Sequence, residues 1–183
     1  GEASKQFPVL LVTGARQVGK TTLLRRLGGK DRTYVSLDDP LTLRLAKEDP
    51  SLFLQRFHPP LIIDEIQYAP ELLPYIKMEA DKRRENGMFW LTGSQQFHLM
   101  KGVSESLAGR AGVVQMLGLS RMEIIGNGLG SSPFIPQHIQ GANTEKLSLK
   151  ELYRIIWRGS YPAIALNDEI NRDLFYGSYV QTY

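Results

Sequence analysis

Five short apolar runs punctuate the first two thirds of the chain, at residues 8–13, 33–37, 61–65, 88–92 and 113–117. Each is nearly continuous rather than alternating with polar residues, the pattern of parallel strands covered on both faces. Helical patterns fill the gaps. Asp39-Pro40 offers an N-cap and a first-turn proline for a helix over Pro40–Glu48. Over residues 70–85, Leu72, Leu73, Ile76 and Ala80 recur on one face, and Asn86-Gly87 supplies a stop. A further helix is expected over residues 95–107, interrupted near Gly102. Strand–helix alternation of this kind implies right-handed βαβ units and an α/β fold, a three-layer sandwich around a five-stranded parallel sheet.

From residue 126 the periodicity lapses into loop composition, with Asn-Gly, Gly-Ser-Ser-Pro and Gln-Gly-Ala-Asn in succession. Helical spacing returns at Leu149, Leu152, Tyr153 and Ile156, and a last helix is expected from Glu169 onward. The expected organisation is a core over 1–125, a loop or insertion over 126–147, and the start of a small helical lobe over 148–183. The closing Val180-Gln181-Thr182-Tyr183 reads as mid-helix, without a Gly, Pro or basic stop, so a longer natural chain is expected.

The first run ends directly on Gly14-Ala15-Arg16-Gln17-Val18-Gly19-Lys20-Thr21-Thr22, which fits the P-loop pattern G-x-x-x-x-G-K-[ST] between a strand and a helix. Glycines let successive N–H groups point inward at phosphate oxygens, and the helix N-terminus adds a favourable dipole. Lys20 would reach the β- and γ-phosphates and the Thr21 hydroxyl would ligate Mg2+. The third run ends on Asp64-Glu65, the form of a Walker B strand. Asp64 is expected to hold the Mg2+ ion and Glu65 to polarise the attacking water. Thr92-Gly93-Ser94-Gln95 ends the fourth run; Ser94, and after it Gln95, reads either as a helix cap or as a polar sensor of the γ-phosphate. Arg110 sits in a glycine-flanked loop before the fifth run. It reads as an arginine finger, in cis or from a neighbouring subunit, or as a surface arginine.

Composition narrows the classes. The 183 residues carry no cysteine, which excludes disulfides, thiolate metal sites and a cysteine nucleophile and fits a reducing, cytoplasmic setting. A formal charge of +3 suits a solvated surface as well as it suits nucleic-acid contact. No run approaches the ~20 apolar residues that cross a bilayer, so no membrane role is expected. His58, His98 and His138 are too dispersed for a metal site, Lys82-Arg83-Arg84 reads as a solvated helix end, Trp90 as core, and Trp157 as core or lobe packing.

Four ordered motifs, Gly14 to Thr22, Asp64-Glu65-Ile66-Gln67-Tyr68-Ala69-Pro70, Leu91 to Gln95, and Ser104 to Arg110, resemble those of a prokaryotic AAA+ ATPase family with a C-terminal domain of unknown function. The family is related to signal-transduction (STAND-like) P-loop ATPases, and the resemblance runs from about residue 7 to 183. It implies the sheet order 5-1-4-3-2, ATP or ADP with Mg2+ as ligands, and hydrolysis that drives or regulates an attached domain or partner. It further implies that Gly159-Ser160-Tyr161-Pro162 places Pro162 near the adenine; from the residues alone this is equally a helix-terminating turn. Homo-oligomerisation and a protein or nucleic-acid partner engaged through a C-terminal region belong to the same expectation. The rival class is a slow nucleotide-dependent switch; a kinase fits less well, because the paired acids are present and no lid is evident.

Overall fold

The computed structural model describes residues 2–94, 97–128 and 147–182 and divides into two units, Gly1–Leu117 and Gly118–Tyr183. The first unit opens with a short helix α1 (Glu2–Gln6), strand β1 (Val9–Thr13) and helix α2 (Lys20–Gly28). Strand β2 (Thr33–Ser36) leads to helices α3 (Pro40–Glu48) and α4 (Pro50–Arg56). Strand β3 (Leu61–Asp64), a 3-10 turn (Ile66–Tyr68) and helix α5 (Leu72–Arg83) follow. Strand β4 (Phe89–Gly93), helix α6 (Phe97–Ser106) and strand β5 (Ala111–Gln115) complete it. In the second unit are helices α7 (Arg121–Ile124), α8 (Leu149–Arg158), α9 (Pro162–Ala165) and α10 (Arg172–Thr182).

The five strands form one parallel sheet in the order β2-β3-β4-β1-β5, the expected 5-1-4-3-2 read from the other edge. Side chains alternate across it, and each face has its own cover. Leu10, Val12, Ile62 and Trp90 pack with Leu24 of α2 on one face. Val9, Leu11, Leu61, Ile63, Phe89 and Leu91 pack on the other with residues of α3 to α6, including Phe53 and the α5 stripe Leu72, Leu73, Ile76 and Ala80. Full burial of such side chains contributes about 1.5–3 kcal/mol each before the entropy of ordering them is set against it. The result is the three-layer sandwich. Trp90 is core, 5% exposed, with its indole N–H donating to Ser4 Oγ at 2.9 Å.

Several local expectations need correction. β5 runs over Ala111–Gln115, two residues earlier than the apolar run, because Ala111 and Gly112 pair with Val9 and Leu10. Position 112 suits a glycine, since a Cβ there would lie 2.7 Å from the Phe7 ring. Nor is β5 covered on both faces: it is an edge strand, with Val113 46% and Val114 42% exposed. Helix α6 passes through Gly102 without interruption, since that glycine lets the helix come close to Leu73 of α5. Helix α5 ends at Arg84 in the left-handed region (φ 55°) instead of at Asn86-Gly87. Helix α4 was not expected, although Asp49-Pro50 repeats the Asp39-Pro40 signal; both aspartates accept from a backbone N–H at 2.8 Å.

In the second unit α8 and α10 answer to the two expected helices, the latter starting at Arg172 behind an Asn171 cap. Tyr161 packs edge-on against Phe175, Tyr176 and Tyr179 of α10, with centroids 5.2–6.1 Å apart. Trp157 is exposed, with the Arg172 guanidinium 4.6 Å from its ring centre. Most of the expected loop over 126–147, together with Gln95 and His138, lies outside the described residues.

Candidate active site

The carboxyl ends of β1, β3 and β4 converge because the chain reaches β4 only after building β2 and β3 to one side, leaving a crevice beside β1. Residues 14–19 loop over that crevice and hand the chain to α2 at Lys20. Gly14 has φ 152° and a Cβ on it would lie 2.3 Å from the Met116 carbonyl oxygen, so only glycine fits where the loop passes the end of β5. Gln17 (φ 62°) and Gly19 (φ 96°) turn the loop back to the helix. Val18 anchors it in the interior, while Arg16 and Gln17 stay at the exposed tip and Ala15 lies between. Thr22 is exposed on the first turn of α2.

Lys20 is only 5% exposed, and its ammonium donates to the carbonyls of Gly14 (3.1 Å) and Ala15 (2.8 Å). Burial pushes its pKa down, Glu65 and then Asp64 pull it up, and Arg16 pushes it down again; burial wins. A cation held at such a cost within a glycine-bearing loop at a helix start suits a polyanion.

Asp64 ends β3 on the face covered by α2 and is 4% exposed. Its carboxylate accepts from three hydroxyls. Thr21 Oγ1 lies 2.8 and 3.0 Å from its two oxygens, Tyr34 donates from β2 at 2.9 Å, and Thr92 donates from β4 through a short bond. The Tyr34 phenol is pushed up to about 12, first by burial and then by its bond to Asp64. The Arg25 guanidinium lies 4.7 Å from its ring centre. Thr21 and Asp64 together present the hard oxygen donors that a Mg2+ ion takes through one hydroxyl and a carboxylate. Among the described residues no three or more His, Cys, Asp or Glu gather into a metal site, and His58 stands exposed.

Glu65 follows in the left-handed region, φ 59° and ψ 47°, unusual for a side chain of this kind and a form of strain that clusters at functional sites. Its N–H donates to Thr92 Oγ1 at 3.0 Å and its carboxylate accepts from Gln67 Nε2. The Thr92 hydroxyl therefore ties both acidic residues to β4. Ser94, one step beyond β4, is 1% exposed and its hydroxyl has no hydrogen-bond partner among the described residues. It stands level with Gly14, since Gly93 pairs with Thr13. A buried hydroxyl left open at the phosphate loop fits a polar group of a bound nucleotide.

One expected residue falls elsewhere. Arg110 precedes Ala111, which pairs with Val9 at the amino end of β1, so the five residues of the strand separate it from the loop by about 17 Å. It forms a fork with Asp81, at 2.5 and 3.0 Å, and donates to the Ala108 carbonyl at 3.0 Å. That position rules out a finger in cis. Pro162 belongs to the second unit, where it is the first residue of α9, while Gly159 caps α8. Sequence reasoning passed over Tyr34, Thr92 and Gln67. The neighbour relation of β3 and β4 carried a signal for Thr92, because it sets Thr92 level with Asp64; nothing local marked Tyr34.

Comparison with known proteins agrees with this geometry. The AAA domain family matches residues 6–125, a span that holds all five strands and both acidic residues. An uncharacterized protein of Mycobacterium bovis and one of Mycobacterium tuberculosis are each 39% identical over 125 residues, 67% of this chain and 28% of theirs. The chain thus spans little more than a quarter of those curated relatives. Among solved structures, the DnaC helicase loader is similar at TM-score 0.41 and 16% identity, over 62% of this chain and 81% of that one. A closed-state reconstruction of Hsp104 with ATPγS and casein gives 0.40 and 18%, over 66% and 29%. Scores this low add nothing about the site. Among the described residues no helix is long and apolar enough to cross a membrane. With a family match across the whole sheet and its phosphate loop, this chain belongs to the AAA domain family and is a nucleotide-binding P-loop ATPase module.

Proposed function

We propose that the chain binds ATP with Mg2+ and hydrolyses it, Glu65 acting as general base, to drive or regulate an attached C-terminal domain or a partner. The observation that carries this reading is the strained Glu65 beside the Thr21–Asp64 pair at the mouth of the phosphate loop. The N–H groups of residues 14–21 and the Lys20 ammonium would receive the β- and γ-phosphates once Lys20 exchanges its two carbonyl partners for phosphate oxygens. Thr21 and Asp64 would hold Mg2+, which would supply positive charge to offset the negative charge of the phosphates. Glu65 would take a proton from the attacking water, and the open Ser94 hydroxyl would contact the γ-phosphate. Pro162 would offer a flat, donor-free surface to the adenine. Arg110, at the far end of the sheet, would serve only in trans, from one copy to the next in a homo-oligomer. The test is ATP turnover by the wild-type chain against Glu65→Gln.

A second reading, a switch that binds nucleotide tightly and hydrolyses it rarely, draws on the Lys20 ammonium already bonded across the loop. It expects bound nucleotide to survive purification with negligible turnover.

A further inference from the structure

We propose that Gln67 is a positioning residue of this site: its amide nitrogen fixes Glu65, and its amide oxygen accepts a hydrogen bond from the proton of the attacking water that Glu65 does not take. The inference rests on the reading of Glu65 as general base. Gln67 Nε2 donates to Glu65 Oε2 through a short bond, while Gln67 Oε1 is buried and has no partner among the described residues. The orientation follows from chemistry, since an ionised carboxylate only accepts and must face the NH2 end of the amide. The carbonyl end is then the one without a partner among the described residues, on the same planar group and within a water's span of the carboxylate. Buried amide oxygens nearly always have a donor. One left open beside a catalytic carboxylate is a place for a molecule that brings its own protons, and water brings two.

The reaction sets the same demand from the other side. The water oxygen bonds to the γ-phosphorus as the bond from phosphorus to the β–γ bridging oxygen breaks. Both water protons must therefore point away from phosphorus. Glu65 receives one; the other stays on the new phosphate oxygen and needs an acceptor while the bond forms, which Gln67 Oε1 provides.

The backbone makes this pair rigid. The left-handed turn at Glu65 and the 3-10 turn over Ile66–Tyr68 fold residue 67 back toward residue 65. Tyr68 N donates to the Glu65 carbonyl at 3.0 Å, Thr92 holds the Glu65 N–H, and Ile66 is fully buried between them. Asp64, the residue before Glu65, accepts from Thr21 on the first turn of α2, which sets the pair beside the phosphate loop.

The test compares wild type, Glu65→Gln, Gln67→Met and Gln67→Glu for ATP turnover, ADP affinity and trapping of ADP by aluminium fluoride. Methionine keeps the length and loses both hydrogen-bonding functions; glutamate keeps oxygen acceptors but cannot donate to an ionised Glu65. Both Gln67 variants are expected to lose about 100-fold in kcat, with KM and ADP affinity within about twofold of wild type. Both should also fail to retain ADP with aluminium fluoride, a readout that does not depend on turnover. Gln67→Met is expected to add little to Glu65→Gln in the double variant, because the two side chains act on one water. Wild-type kcat in Gln67→Met, or loss of ADP binding in step with turnover, overturns the inference. If Glu65→Gln is silent while Gln67→Met turns over normally, only the role of Gln67 falls. If Glu65→Gln turns over like wild type, the general base and the inference built on it fall together.

Discussion

Thr92→Val removes one hydroxyl from the interior while leaving the side-chain shape almost unchanged. Thr92 is 0% exposed, donates to Asp64 Oδ1 and accepts from Glu65 N at 3.0 Å. Asp64 keeps Thr21 and Tyr34 as donors, so its loss is one of several bonds, worth about 1.5–3 kcal/mol for a bond to a charged group. The Glu65 N–H loses the one partner it has in this geometry, at about 1–3 kcal/mol for a buried donor left unmade. The two terms share one hydroxyl and do not add fully, so the expected destabilisation is about 2–4 kcal/mol. Thr92→Ser is the control: it keeps both bonds and loses a methyl, which costs about 1 kcal/mol. Urea unfolding followed by circular dichroism compares the two with wild type, an unchanged slope showing that only stability moved. If Thr92→Val is as stable as Thr92→Ser, the hydroxyl does not bridge the two acidic residues. The account of how β4 sets Glu65 would then be wrong.

Two further outcomes follow from the charges around the loop. Lys20→Met keeps the aliphatic stem and removes a cation whose pKa burial pushes down, so the ligand-free chain should unfold at a urea concentration no lower than wild type. ATP affinity, measured by calorimetry, should nonetheless fall roughly 100-fold or more with the loss of charge-assisted bonds to phosphate; a large loss of stability would contradict the burial argument. Tyr34 has its pKa raised from 10.0 to about 12, so its contribution to stability is fully present below pH 10 and is lost as pH rises toward 12. Urea midpoints of wild type and Tyr34→Phe should therefore converge across that window, and a constant difference would remove Tyr34 from the network around Asp64.

Much of the site could be read before the fold was known, and the reasons are local. The P-loop is a contiguous pattern whose strand, glycines, Lys20 and Thr21 act within one turn of chain. The buried strands β1, β3 and β4 read as unbroken apolar runs because both of their faces are covered. β5 misled because hydrophobicity pointed to Val113–Leu117, whereas pairing with β1 and the space taken by the Phe7 ring select the small residues Ala111 and Gly112. Thr92 and Tyr34 reach Asp64 only through the register of strands 28 and 30 residues away in sequence, which no local pattern encodes. Arg110 could be read as a finger or as a surface arginine, and only the strand register shows that it sits at the opposite end of the sheet. Gln67 depends on a positive φ at a glutamate, which its sequence does not announce.

The central claim is that Glu65, held at the mouth of the phosphate loop, makes this module a hydrolase. Steady-state phosphate release by the wild-type chain and by Glu65→Gln, at saturating Mg-ATP and with ATP affinity measured in parallel, tests it most directly. The account predicts a loss of about 100-fold or more in kcat with affinity retained, the range expected for removal of a positioned general base. Equal rates in the two proteins would contradict it.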